Sequence, residues 1–422
     1  MLKIGMSLVD ISPKKGVQLT GYPHCPRPNE GIHDPLYAAC MFIDNGEKKV
    51  AIVTADLLHF SKEFVRELRG KFDFPILATC SHTHCGPLIG VVHDFEYAEG
   101  IRRDDDYGRE LMEKVTAIVK EASENTFDGS IGTYVGHCGA EQGIGGNRRE
   151  RGGIADPSVN IIAAKDADGK IRGILLNYAL HPTYLHAENV LVTADYPGYI
   201  RRYFGFACPD AIFMFAQGTS GNQSSRYHRV GQNFEESCRA GTTIAVEIFH
   251  CLDKIDFKDS IDIDYKSIEI DLPRKEYPPR EEAHAAMIKA QERFESLKNA
   301  DYITMRNAEL DMFGAEDIYY LSVEADGGYV DPDLPCEIQK LVLGDTAILG
   351  TQGELFVEYG LAIKKASKYE KTFVFELSTA ALPGYIYTPD AVNDGGYEVG
   401  NSTFTPDAGA AIVSAATELL NN

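Results

Sequence analysis

The residues best suited to chemistry begin with two histidines, His82 and His84, in the stretch Thr79-Cys80-Ser81-His82-Thr83-His84-Cys85-Gly86-Pro87. They follow the apolar run Phe74-Pro75-Ile76-Leu77-Ala78, which reads as a buried strand, so both imidazoles stand at a strand end before a Gly-Pro turn. In an extended backbone, residues two apart point the same way, which would aim both rings into one cleft. Two loop histidines satisfied by backbone carbonyls fit the same spacing. A third histidine, His181, closes the run Leu176-Asn177-Tyr178-Ala179-Leu180 in the same manner, and Pro182 stops the ladder behind it. Neutral imidazole is the commonest nitrogen ligand of zinc, and catalytic zinc sites use about three protein ligands with one position left for water. Glu354 also stands at the end of an apolar run, 346 to 349, where a helix begins. It fits either a carboxylate ligand or a helix N-terminal acid favoured by the macrodipole. These residues are far apart and form no HExxH cluster, so what joins them is that each lies at a strand end.

Other groups could assist. The loop Gln217-Gly218-Thr219-Ser220-Gly221-Asn222-Gln223-Ser224-Ser225-Arg226 follows an apolar run, and its small residues would let backbone approach a ligand closely. It is neither a GxSxG elbow nor a Walker loop. Gly143-Ile144-Gly145-Gly146-Asn147-Arg148-Arg149 offers guanidinium groups to a carboxylate or oxyanion, or else two surface arginines on a loop. Tyr385 and Tyr397 lie in turn-rich context, where a phenol can ligate a metal, donate a proton or simply pack. Cys80 and Cys85 flank the histidine pair as soft candidate ligands, but no CxxC accompanies them.

Stepping outward, the elements that must position these groups alternate. Apolar runs at 38 to 44 and 50 to 55 flank Asn45-Gly46, a hairpin signal. Helices are expected at 61 to 70, 106 to 124, 196 to 204, 233 to 253 and 355 to 367, and strands at 130 to 135, 158 to 164, 172 to 180 and 211 to 216. In the second helix Leu111, Val115, Ile118, Val119 and Ala122 form a stripe of period 3.6. The interleaving predicts an α/β fold, a layered mixed β-sheet core flanked by helices. The long loop Gly21-Tyr22-Pro23-His24-Cys25-Pro26-Arg27-Pro28, continuing to Pro35, is aromatic and His-bearing, which favours a functional role. The one composition shift, from 273, opens two charged helical stretches, so 273 to 315 is expected to be a helical insertion within a single domain spanning 1–422.

Composition narrows the partners. A net charge of −22 over 422 residues argues against nucleic acid and against an anionic membrane surface. No basic n-region and apolar h-region open the chain, and no run of about 18 apolar residues occurs, so no membrane insertion is expected. Nine cysteines without paired spacing fit a reducing cytoplasm.

Taken together, the chain resembles the neutral ceramidase superfamily of zinc amidohydrolases. The resemblance runs from Asp10-Ile11-Ser12-Pro13 and Gly31-Ile32-His33, through the His-Thr-His-x-Gly-Pro motif, to Tyr397-Glu398. It implies Zn2+ held by His82, His181, Glu354 and Tyr385. It also implies that His84, Arg148 and Tyr397 act on the scissile carbonyl without ligating the metal. Asp56 and Asp195 are second-layer candidates for orienting a ligand imidazole. The family's Gly-Asp-Val-Ser-Pro reads Gly221-Asn222-Gln223-Ser224-Ser225 here, so Ser224 matches while the aspartate and proline do not. The family's enzymes are secreted or membrane-facing and carry a further C-terminal domain. The expected activity is therefore metal-assisted hydrolysis of an amide in a small polar substrate. An esterase or lactonase on the same site and a non-catalytic metal-stabilised binding protein are the alternatives.

Overall fold

A computed structural model of the chain describes residues 1–22, 25–89, 104–328, 331 and 333–422. His24 lies outside them. Two mixed sheets form the centre. The larger contains β1 (Leu2–Asp10), β2 (Tyr37–Asp44), β3 (Lys49–Ala55), β4 (Ile76–Cys80), β5 (Phe127–His137), β6 (Ser158–Asp166), β7 (Ile171–Tyr178) and β8 (Ile212–Gln217). Its strand order is β8-β7-β6-β5-β1-β2-β3-β4. The smaller contains β9 (Ile263–Ile270), β10 (Cys336–Leu343), β11 (Thr346–Thr351) and β12 (Lys371–Phe375) in sequence order. Asn45-Gly46 makes the expected antiparallel hairpin between β2 and β3, with Asp44 paired to Lys49.

The sheets pack face to face through a core that joins Ile4, Met41, Ile52 and Met214 of one to Leu341, Ile348 and Phe373 of the other. Such facing apolar sides must be covered, and helices cover the outer sides. Helix α1 (Lys62–Arg69) and helix α2 (Asp105–Glu124) lie on one flank, where the stripe Leu111, Val115, Ile118, Val119 and Ala122 is buried as its period required. Each leucine, valine or isoleucine of the stripe contributes about 1.5–3 kcal/mol relative to exposure. Helices α3 (Tyr196–Ala207) and α4 (Phe234–Leu252) cover the other half of the large sheet. The charged stretches form two paired helices, α5 (Arg280–Leu297) and α6 (Tyr302–Gly327), the second running on past 315 to a left-handed Gly328 cap. Helix α7 (Val357–Ala366) and the C-terminal α8 (Asp407–Asn421) back the small sheet.

Within these sheets three strand pairs are parallel: β3 with β4, β7 with β8, and β11 with β12. Parallel strands end together, so the residues following them meet in space. In open α/β sheets that end is where ligands bind.

Candidate functional site

His82 follows β4, His181 follows β7 and Glu354 follows β11, and the fold brings all three together. Nε2 of His82 lies 3.2 Å from Nε2 of His181, and Oε2 of Glu354 lies 3.0 Å from the latter and 3.4 Å from the former. Both imidazoles are buried. His82 Nδ1 is 3.0 Å from the carbonyl of Leu58, and His181 Nδ1 is 2.8 Å from the carbonyl of Ser220. A carbonyl only accepts, so each Nδ1 carries a proton and, in the neutral ring, each Nε2 turns a lone pair inward. With neutral rings, two lone pairs and a carboxylate oxygen face one another. That arrangement repels unless a cation occupies it, and nitrogen plus carboxylate donors suit zinc. The residues fit the group the resemblance implied.

His84 joins them by a different route from the one its spacing predicted. Strand β4 ends at Cys80, and His82 takes φ 64°, a left-handed conformation outside any extended run. The rings therefore meet edge to face at 89° rather than side by side, with Nε2 atoms 3.4 Å apart. Such a backbone costs about 1–3 kcal/mol and persists only where the surroundings over-determine it. Here Ser81 N–H donates to Ala55 O at 2.9 Å and Thr83 Oγ1 donates to Thr193 O at 2.7 Å. Nδ1 of His84 is buried without a partner among the described residues, unlike Nδ1 of the other two. Gly21, at φ 90°, packs on that ring, and a Cβ there would lie 2.6 Å from it.

Burial, reinforced by Arg148, pushes His181 down to about 4, and burial with the two neighbouring imidazoles pushes His84 well below its ordinary value. All such shifts keep imidazole neutral, the form that binds metal. Burial acts to raise Glu354, but His82 and His181 outweigh it and hold the carboxyl well below its usual range.

A second layer escaped sequence reasoning. Glu376, just past β12, is fully buried and accepts from Ser220 Oγ at 2.6 Å, Ser220 N–H at 3.1 Å and Leu355 N–H at 3.1 Å. Ser220 Oγ is also 3.2 Å from His181 Nδ1. An acid directly after an apolar strand was the available signal. Asp56 and Asp195, by contrast, do not orient the imidazoles. Asp56 accepts from Tyr37 N–H and pairs with Arg201 at 2.7 Å. Asp195 caps α3 and accepts from Leu185 N–H and Ser237 Oγ. Backbone carbonyls do the work instead.

The remaining predicted residues line one cavity of about 1190 Å³ that opens onto His84. Arg148 donates through Nε to Glu398 at 2.8 Å, lies 5.3 Å over the Tyr385 ring, and keeps a buried Nη2 with no partner among the described residues. The Tyr385 ring is 6.5 Å from that of His181 and 5.8 Å from that of Tyr397, and burial, then Glu354, pushes its phenol well above the ordinary value. Ser224 is buried on the wall, its Oγ accepting from Arg226 N–H at 3.2 Å. The small residues of 217–226 serve the chain itself. Gly221 N–H donates to Leu355 O at 2.9 Å, and a Cβ there would lie 2.7 Å from Glu354 O. Cys80 and Cys85 are packed in the apolar cores on either side, outside the histidine cluster.

Comparison with known proteins points one way. No family model matches the chain. Neutral ceramidase of Drosophila melanogaster is 21% identical over an alignment of 227 residues that covers 47% of this chain and 31% of that protein. The chain thus spans under a third of that relative's length in the match. Among solved structures, neutral ceramidase from Pseudomonas aeruginosa superposes with a TM-score of 0.74 at 15% identity, covering 99% of this chain and 74% of that one. A ceramidase complexed with C2 gives 0.76 at 14% identity, with the same coverages. The chain carries the fold of the neutral ceramidases.

Proposed function

We propose that the chain is a zinc-dependent hydrolase that cleaves the amide bond of a small polar N-acyl compound. The observation that carries this reading is the convergence of His82 Nε2, His181 Nε2 and Glu354 Oε2 at 3.0–3.4 Å, with each Nδ1 committed to a backbone carbonyl. Those three residues would hold the ion, with Tyr385 completing the set. The chemistry supplied by zinc in such a place is Lewis acidity and a water nucleophile near neutral pH. The chain's own groups then bind and orient the substrate. The free Nη2 of Arg148, Nε2 of His84 and the hydroxyl of Tyr397 are the donors for the scissile carbonyl and for the oxyanion that replaces it. Ser224 shapes the wall along which the substrate lies.

The amide preference rests on the likeness to proteins named ceramidases, and the small polar substrate rests on the cavity. Its lining is mostly polar and charged, and the sequence has no Trp for an interfacial belt. Among the described residues no helix is long and apolar enough to cross a membrane. All nine cysteines are free thiols, which supports a reducing compartment such as the cytoplasm. A panel of N-acyl compounds, matching esters and detergent-dispersed long-chain ceramide tests the reading. We expect amine release, with kcat/KM for the small polar amide at least about tenfold above that for ceramide, roughly 1.4 kcal/mol in the transition state. Alcohol release from esters alone would remove the amide assignment, and a better rate on ceramide would remove the small polar one.

A further inference from the structure

Arg148, Arg149, Arg226, Arg229, Arg293 and Arg306 all line the cavity. Four of them are matched by acids: Arg148 and Arg149 share Glu398 at 2.8 Å each, Arg293 meets Asp311 at 2.7 Å, and Arg306 meets Glu309. Arg226 and Arg229 have no carboxylate partner among the described residues. Arg226 Nη1 donates only to the carbonyl of Arg148, at 3.2 Å. Arg229 Nη1 donates to the carbonyl of Thr183 at 3.1 Å and to Ser225 Oγ at 3.2 Å. These bonds fix each guanidinium without cancelling its charge. The acid that acts on Arg226 is Glu398, which Arg148 and Arg149 already hold.

Position ties this pair to the chemistry. Arg226 rests on the backbone of Arg148, whose side chain lies over Tyr385, and Arg229 rests on Thr183, two residues beyond His181. The two arginines are three apart on one turn, where Ser225 O accepts from His228 N–H and Arg229 N–H. Of the cavity's other acids, Glu188 meets His186 at 3.3 Å, Glu358 accepts from Asn222 Nδ2 at 2.9 Å, Glu150 follows Arg149 in the chain, and Asp390 and Asp394 belong to the segment that Arg149 binds through the carbonyls of Ala391 and Gly395. Arg226 is exposed and Arg229 half-buried, and partial desolvation with neighbouring guanidinium groups pushes both below their ordinary values. Two like charges on one turn of a cavity wall are repulsive alone and favourable once an anion sits between them.

We propose that Arg226 and Arg229 form a carboxylate subsite, so that the substrate is an N-acyl compound carrying a carboxylate within reach of the scissile amide. This rests on the hydrolase reading for the amide but not for the carboxylate, and binding separates the two. The guanidinium fork matches a carboxylate bidentately, and a hydroxyl in its place would leave the charges unmatched.

The test is calorimetric binding of two matched pairs to the protein as purified. One pair carries the carboxylate in the amine half (N-acylglycine against N-acylethanolamine), the other in the acyl half (an N-succinyl amine against its neutral N-butanoyl counterpart). At least one carboxylate compound is expected to bind at least tenfold tighter than its neutral partner. R226Q/R229Q is expected to abolish that ratio, and R226K/R229K, which keeps both charges but not the fork, to retain part of it. The ratio is taken within one preparation, so partial unfolding of a variant does not move it. No carboxylate preference in either pair, or a preference that survives R226Q/R229Q, would overturn the subsite. Amine release without the preference leaves the hydrolase reading standing, while carboxylate-selective binding without amine release supports the subsite and removes that reading.

Discussion

At the floor of the site, behind the cavity-lining His84, His82 and His181 are each locked by a backbone carbonyl on Nδ1, whereas at the cavity wall Arg226 and Arg229 are anchored by carbonyls and have no carboxylate partner among the described residues. The floor is made at the ends of parallel strands, where backbone positions are set by two packed sheets. The wall is made by connecting segments and by the α5–α6 pair. A rigid floor can hold donors to the tolerance that metal chemistry needs, while a wall of separate segments can change its charge pattern without disturbing them. On this account the floor determines what reaction occurs and the wall determines which molecule undergoes it.

The largest effect short of metal loss is expected at His84, which belongs to the floor by distance but lacks the carbonyl lock. His84→Ala should retain metal and lose about 10²–10⁴-fold in kcat, the range for a positioned proton-transfer or donor group. If metal analysis showed His84→Ala as depleted as His82→Ala, the difference between locked and unlocked imidazoles would not mean what is claimed here. A smaller effect is expected one layer down. Glu376→Gln and Ser220→Ala remove groups that hold His181, and each should weaken zinc affinity about 10–100-fold in a competition titration with a chelator. Unchanged affinity in both would show that the carbonyl of Ser220 suffices alone.

The smallest effect concerns protons. Because burial holds His181 at about 4 in the fold, the unfolded chain, with an ordinary histidine, binds more protons between pH 6.5 and 4. Stability of the metal-free protein therefore rises with pH through that window and is lost as pH falls. Between pH 7.5 and 6 the loss from this group is about 1 kcal/mol. The wall arginines stay charged throughout and contribute nothing to it. Urea midpoints across that range should be steeper for the metal-free parent than for His181→Asn; parallel curves would mean that the floor imidazole is not held neutral.

Much of the large sheet was legible because its strands are continuous apolar runs bounded by turns, as at Ile76–Cys80 and Ile171–Tyr178. The small sheet was harder. Strand β10 is buried along its whole length yet contains Glu337, Gln339 and Lys340, which break the apolar pattern. Glu337 is held by distant partners, Arg69 at 2.9 Å and Thr379 at 2.6 Å, and no local pattern reveals such pairing. In the site, His82, His181 and Glu354 were readable as polar residues at strand ends. Their orientation was not, because the carbonyls of Leu58 and Ser220 carry no side-chain signature. The left-handed turn at His82 was likewise hidden, since histidine does not announce a positive φ as glycine does.

The central claim is that His82, His181 and Glu354 face a cation. It is tested most directly by elemental analysis of protein purified without chelator, alongside His82→Ala and His181→Ala. The account predicts about one zinc per chain in the parent and little in either variant. A parent free of stoichiometric transition metal, or variants that hold as much zinc as the parent, would contradict it.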